Sequence, residues 1–252
     1  MSTHLYILTG ASRGLGLAMA QQLLQAGNGL VCMSRRANPE LAEAARQAEV
    51  PLTQWTLDLA DGEAASERLR GWLLAQPAGQ WQQLTLINNA AMIPRIMPLS
   101  HAHAHELATA LRVGLEAPMQ LTAAFLGATE SWHVPRRVLN ISSGLGRRAM
   151  ASQAAYCAVK SGMDHFTRCL ALDEALKPHG AKVCSLAPGV IDTDMQVQLR
   201  SADAGAFPDQ PGFAQLKAQG LLSTPQQAAS SVLAYLARAD FGSQAVADVR
   251  DA

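Results

Sequence analysis

Tyr156 and Lys160 stand four residues apart in Tyr-Cys-Ala-Val-Lys, inside a stretch of helical period, so both side chains fall on one helix face. A free phenol has a pKa of about 10, too high to pass protons efficiently near neutrality. A neighbouring ammonium favours the phenolate and is expected to lower that value, which makes the pair an acid/base unit. The spacing by itself is common, and one buried ring beside one solvated amine would also account for it. The context adds weight. Thirteen residues before the tyrosine, Asn140-Ile141-Ser142-Ser143-Gly144 closes an apolar run. A strand-end serine at Ser143 could hydrogen-bond the same oxygen that Tyr156 protonates, stabilising charge as it develops. Leu86-Ile87-Asn88-Asn89-Ala90-Ala91 closes an earlier run, and Ala187-Pro188-Gly189-Val190-Ile191-Asp192-Thr193-Asp194-Met195 closes a later one. All lie at the carboxyl ends of expected parallel strands, where open α/β sheets bind their ligands.

A second constellation sits near the N-terminus. The first apolar run ends in Thr9-Gly10-Ala11-Ser12-Arg13-Gly14-Leu15-Gly16 and a helical pattern follows at once. Glycines suit a tight turn that lets a pyrophosphate approach the free N–H groups and positive dipole end of a helix. About twenty residues on, the second run ends Ser34-Arg35-Arg36 with no carboxylate for a ribose hydroxyl. A guanidinium fork matches a 2′-phosphate, so Arg35, Arg36 and Arg13 favour NADPH over NADH, with a pair of solvated loop arginines as the alternative.

The GxxxGxG spacing of these glycines resembles the short-chain dehydrogenase/reductase family, and the order and spacing of the later segments carry that resemblance over essentially the whole chain. It implies Ser143, Tyr156 and Lys160 as catalytic residues, with Lys160 also holding the nicotinamide ribose. It implies the turn from Gly10 to Gly16 at the pyrophosphate, Asp58 and Leu59 beside the adenine, and Asn89 and Ala90 along the adenosine side. Pro188, Gly189, Val190, Ile191 and Thr193 would follow the nicotinamide. Two departures stand out. Ala91 replaces the family's glycine, which a methyl tolerates where φ is negative. Gly114, in Arg112-Val113-Gly114-Leu115, stands where the family places a helix asparagine, so either a water takes over the proton relay, or activity is slower, or a different group substitutes.

The downstream half is more specifically similar to the sepiapterin-reductase and benzil-reductase branch. The signals are Asp192-Thr193-Asp194-Met195-Gln196, the Phe213 to Leu222 stretch with Lys217 and Gly220, and Ala247-Asp248-Val249-Arg250. That likeness implies NADPH-dependent reduction of a ketone next to another carbonyl or an aromatic group, a benzil- or pterin-like small molecule, with Met195 and Asp248 near the substrate. Asp248 matches a pterin-holding aspartate, and a solvated strand-end carboxylate is the alternative. It also implies a homodimer or homotetramer in which helices 102–127 and 152–177 pair across two-folds. The rival readings are a non-catalytic NADP-binding sensor and an NAD-linked secondary-alcohol dehydrogenase.

These residues need a scaffold. Short apolar runs alternate with helical stretches, the signature of β-α units and a Rossmann-type, doubly wound parallel sheet of about seven strands with helices on both faces. Strands are expected at Leu5–Thr9, Gly29–Ser34, Leu52–Thr56, Leu84–Asn88, Arg137–Ile141, Lys182–Leu186 and Gln244–Asp248. Helices are expected over 14–26, 39–48, 61–76, 102–127, 152–177 and 225–239. Ser100, Ser152 and Thr224-Pro225 read as helix starts, and Gly27 and Gly180 as stops. Residues 1–252 read as one domain. Its one long irregular insertion, 192–223, should roof a mostly apolar pocket with Met195, Leu199, Phe207, Phe213 and Leu216. Few polar groups are in prospect beyond Asp248, Arg147 and Arg148.

Composition narrows the classes. Hydrophobic residues make up 49% and charged residues 16%, which fits a packed enzyme and excludes disorder. Twenty basic and twenty acidic side chains cancel, so nothing draws the chain to nucleic acid or to a membrane surface. Met1-Ser2-Thr3-His4 runs straight into a strand with no leader pattern. Cys32, Cys157, Cys169 and Cys184 lack CxxC spacing and read as reduced thiols of a cytoplasmic protein. In His101-Ala102-His103-Ala104-His105 the first and last histidines are expected to share a helical face, but no third ligand type clusters with them, so no metal site is expected.

Overall fold

A computed structural model describes residues 3–77 and 79–251. Seven strands form one sheet: β1 (His4–Thr9), β2 (Asn28–Ser34), β3 (Leu52–Thr56), β4 (Gln83–Asn88), β5 (Arg136–Ile141), β6 (Lys182–Ala187) and β7 (Val246–Asp248). All neighbours pair in parallel, in the order β3-β2-β1-β4-β5-β6-β7. Starts and ends agree with the sequence reading to within a residue or two, because strands covered on both faces are continuously apolar and easy to bound. The order reverses direction between β1 and β4, which opens a crevice at their carboxyl ends.

Nine α-helices are described: α1 (Gly14–Gln22), α2 (Pro39–Gln47), α3 (Gly62–Leu74), α4 (Ala104–Leu111), α5 (Ala117–Thr129), α6 (Ala154–Ala175), α7 (Asp194–Arg200), α8 (Gln210–Ala218) and α9 (Pro225–Ala237). Helices α1, α2 and α9 bury Met19, Leu41, Val232 and Leu236 against one face of the sheet. Helices α3 and α5, with Leu170 of α6, bury Leu69, Leu73, Leu121 and Phe125 against the other. Each fully buried side chain of this size is worth roughly 1.5–3 kcal/mol, and together they hold the doubly wound layers in place. No described helix is long and apolar enough to cross a membrane.

The structure corrects the helical reading in four places. The expected helix 102–127 is helical over 104–129, but a π-helical turn at Arg112–Glu116 divides it into α4 and α5, and a 3-10 turn at Leu99–His101 takes up Ser100. Thr224 does start α9, through a reciprocal capping box with Gln227, but Gln153 rather than Ser152 precedes α6. Ser152 adopts φ +60° and donates to the Ala206 carbonyl at 2.5 Å, so its hydroxyl ties the loop before α6 to the insertion. Gly27 and Gly180 stand five residues beyond the ends of α1 and α6. The 192–223 stretch is not irregular: it contains α7 and α8. Its glycines and prolines obscured the periodicity, yet Pro211 sits in the first turn of α8, where a missing N–H costs nothing.

Candidate active site

The turn after β1 needs its glycines. Gly10 and Gly14 have φ of +71° and +56°, and a Cβ on Gly16 would overlap the Gly10 carbonyl. The turn is pinned to the end of β4 across the switch point. Thr9 Oγ1 accepts from the N–H groups of Asn89 and Ala90 at 2.9 and 3.0 Å, and the Asn89 amide donates to the Thr9 and Gly10 carbonyls at 3.0 and 3.3 Å. The N-terminus of α1 therefore opens into a cleft of about 1490 Å³ that runs the length of the strand ends.

Nearly every residue expected at a dinucleotide lines that cleft: Gly10, Ser12 to Gly16, Arg35, Arg36, Asp58, Leu59, Asn89, Ala90, Pro188 to Ile191 and Thr193. Ala11 does not. It is 2% exposed and belongs to the core, because the turn points its methyl inward between two glycines. Arg35 and Arg36 are exposed on the cleft wall, whereas Arg13 is paired with Asp194 of α7 at 2.6 Å. Both partners of that pair are largely solvated, so it is weak and exchangeable. A turn with glycine at positions 10, 14 and 16 before a helix N-terminus, with the exposed Arg35 and Arg36 at one end of the cleft, fits a phosphate-bearing dinucleotide.

Across the cleft, Ser142 and Ser143 directly follow β5, and α6 presents Tyr156 and Lys160. Ser143 Oγ accepts from the Leu145 N–H at 3.2 Å and so starts a 3-10 turn over Gly144–Gly146. Lys160 Nζ donates to the Ile141 carbonyl at 2.7 Å and lies 5.7 Å from the centroid of the Tyr156 ring. The expectation of a lowered phenol is corrected here. Burial dominates and pushes Tyr156 up to about 12, against a smaller pull from the Ser143 hydroxyl. Burial likewise pushes Lys160 down to about 8, and the charge of Asp164 opposes that. Before cofactor and substrate bind, Tyr156 therefore keeps its proton, and giving it up requires a positive charge or a developing oxyanion beside the hydroxyl.

Beyond Tyr156 the cleft is apolar. Met195 Sδ stands 3.8 Å from the Tyr156 hydroxyl, and Ile93, Leu145, Leu199 and Phe213 complete the walls. Phe207 is fully buried behind Phe213, with the rings stacked at 5.6 Å; it braces the roof instead of lining it, and Leu216 stays outside the cleft. Asp248 reaches the cleft but its carboxylate is occupied. Arg250 donates to its two oxygens at 2.8 and 2.6 Å, and Arg147 approaches at 3.4 Å. These partners, Arg250 first, hold its carboxyl below the usual carboxylate range. Ala91 stays out of the left-handed region, as its methyl requires. Gly114 is buried in the π-helical turn, and a Cβ there would meet Val159 Cγ1 at 2.5 Å. Val159 therefore occupies the space that an asparagine side chain at this position would enter. His101 and His105 do not share a helix face, since the 3-10 turn ends at His101 and α4 starts at Ala104. All four cysteines are free thiols.

Sequence reasoning missed Met92, Ile93 and Gln196 on the cleft wall, and Asp164 beneath it. Met92 and Ile93 directly follow the Asn89-Ala90-Ala91 strand end, and that position was signal enough.

The comparisons agree with this geometry. A family model for short chain dehydrogenase matches residues 4–204. Benzil reductase ((S)-benzoin forming) of Bacillus cereus is 35% identical over 235 residues, covering 93% of this chain and 94% of that protein. Sepiapterin reductase of Xenopus tropicalis is 32% identical over 221 residues, covering 81% and 80%. A crystal structure from Agrobacterium tumefaciens with bound NADP superposes with a TM-score of 0.80 at 25% identity, covering 99% of this chain and 95% of that one. With its sheet order, glycine turn and Ser143–Tyr156–Lys160 cluster, the chain belongs to the short-chain dehydrogenase/reductase family.

Proposed function

We propose that the chain is an NADPH-dependent ketone reductase acting on an aromatic or vicinal dicarbonyl, with Tyr156 as proton donor. The observation that carries this reading is the contrast between the two ends of one cleft: a glycine-and-arginine end for a phosphorylated cofactor, and an apolar end focused on one buried, protonated phenol. The likeness to benzil reductase supports the substrate class, and the NADP in the Agrobacterium tumefaciens relative supports the cofactor. Bound NADPH supplies the hydride that reduces the carbonyl carbon. Tyr156 gives its proton to the carbonyl oxygen, and Ser143 donates a hydrogen bond to the same oxygen as charge gathers there. Arg35 and Arg36 hold the 2′-phosphate, and Lys160 holds the ribose beside the acid. A flat aromatic ketone suits the apolar walls better than a sugar, which would leave many hydroxyls without partners. Because Asp248 is already engaged by Arg250 and Arg147, a benzil-like diketone is favoured over a pterin.

The purified protein, assayed by loss of NADPH absorbance with benzil, related aromatic diketones and sepiapterin, should reduce the diketones fastest. Absence of turnover on both classes would defeat the reading. Leu111 of α4, Met119 of α5, Leu172 of α6 and Leu176 just past it are exposed, and we assign these helices to self-association as a homodimer or homotetramer.

A further inference from the structure

Helix α6 carries a third polar side chain that the proposed reaction does not use. Asp164 follows Lys160 by four residues, as Lys160 follows Tyr156, and it is 1% exposed. A carboxylate that deep persists only where hydrogen bonds and nearby charge replace its water. One of its oxygens accepts from Ser142 Oγ at 2.5 Å and from Ser185 Oγ at 2.7 Å. The other has no hydrogen-bond partner among the described residues, and the loop after Ser143 closes over it: a Cβ on Gly146 would stand 2.7 Å away.

Three contacts stitch residues 141–146 onto α6. Lys160 donates to the Ile141 carbonyl, Ser161 Oγ donates to the Gly146 carbonyl at 2.8 Å, and Ser142 donates to Asp164. Ser143 lies between these anchors, so its distance from Tyr156 is set by them. The titratable groups that face Asp164 are Lys160 on its own helix and Cys184 from β6; hydroxyls come from Ser142 at the end of β5 and Ser185 on β6.

We propose that Asp164 is a positioning residue: its carboxylate, one helical turn from Lys160, clamps the strand end bearing Ser143 against the helix bearing Tyr156. This rests on the ketone-reductase reading above. In support, the Asp164 charge opposes the burial that pushes Lys160 down to about 8, so removing it lets Lys160 lose its proton at lower pH.

The test is the pH profile of kcat for ketone reduction by Asp164→Asn, which keeps the shape and one acceptor but removes the charge. The alkaline limb should move down by about one pH unit, and Asp164→Glu should return it to its original position with a lower plateau. A merely structural role would lower the amount of folded enzyme without moving the limb. Ser142→Ala, which deletes only a hydroxyl, should lower kcat about fivefold with the KM for ketone little changed, and it carries the test if Asp164→Asn does not fold. An Asp164→Asn enzyme with the original pH profile, or a Ser142→Ala enzyme with the original kcat, would overturn the assignment alone. An unaltered chain that reduces no ketone would overturn the reading beneath it as well.

Discussion

At Lys160 and Tyr156 burial acts on opposite charges with one result: both side chains are held toward their neutral forms. Below pH 8 the lysine is charged in the folded and unfolded chain alike, and the folded state bears the full cost of burying it. Between about 8 and 10.5 the unfolded chain still binds a proton that the folded one has released, so the cost is relieved and stability rises with pH. Lys160→Met should therefore raise stability at pH 7 by about 1–3 kcal/mol while abolishing reduction. Thermal melts should show that advantage fading by pH 10.5, and an advantage independent of pH would contradict the assignment of the burial cost to the charge. At the other end of the cleft, Arg35 and Arg36 stand where a carboxylate would select NADH. Arg35→Asp should shrink or invert the proposed preference for NADPH in steady-state kinetics, whereas an unaltered enzyme equally efficient with both cofactors would refute it. Residues of this kind were legible because spacing fixes them: Tyr156 and Lys160 by one helical turn, the glycines by one tight bend. Asp164 was overlooked although it continues the four-residue spacing of Tyr156 and Lys160, because an aspartate on a helix is ordinarily a solvated one.

At the scale of elements, strands read well and helix interruptions did not. The run 102–127 is helical in the structure too, over 104–129, yet its α-helical pattern breaks at a π-helical turn whose one buried residue is Gly114. Such turns often mark functional sites, and this one faces the helix that carries Tyr156. The break is a packing outcome: Val159 occupies the space beside Gly114, and that pairing joins residues forty-five positions apart. Gly114→Asn must displace Val159, so it should lower stability by about 1–3 kcal/mol. Combined with Val159→Ala, it should cost less than the sum of the two single changes. Urea unfolding of the four proteins measures this, and additive effects would show that the two positions do not meet. The insertion was misread for a related reason. Its glycines and prolines suggest loop, but Phe207, stacked on Phe213, packs α7 and α8 onto a small core shared with Ile93, Leu145 and Tyr156.

Across the whole molecule, the sheet order places the end of β1 beside the end of β4, and from that single reversal the cleft follows. Alternating β-α units were enough to expect it, because right-handed crossovers leave few other topologies. The exposed leucines of α6 are a separate matter, with Leu172 71% exposed on a helix whose opposite face is core. Light scattering should give a multiple of the chain mass, reduced by Leu172→Glu; a monomeric unaltered chain would refute the proposed assembly. The account as a whole turns on one proton. In purified Tyr156→Phe only a hydroxyl is lost, so the fold and NADPH affinity should survive while kcat for benzil falls by at least about 10²-fold. Turnover close to that of the unaltered enzyme would contradict the assignment of Tyr156 as the acid.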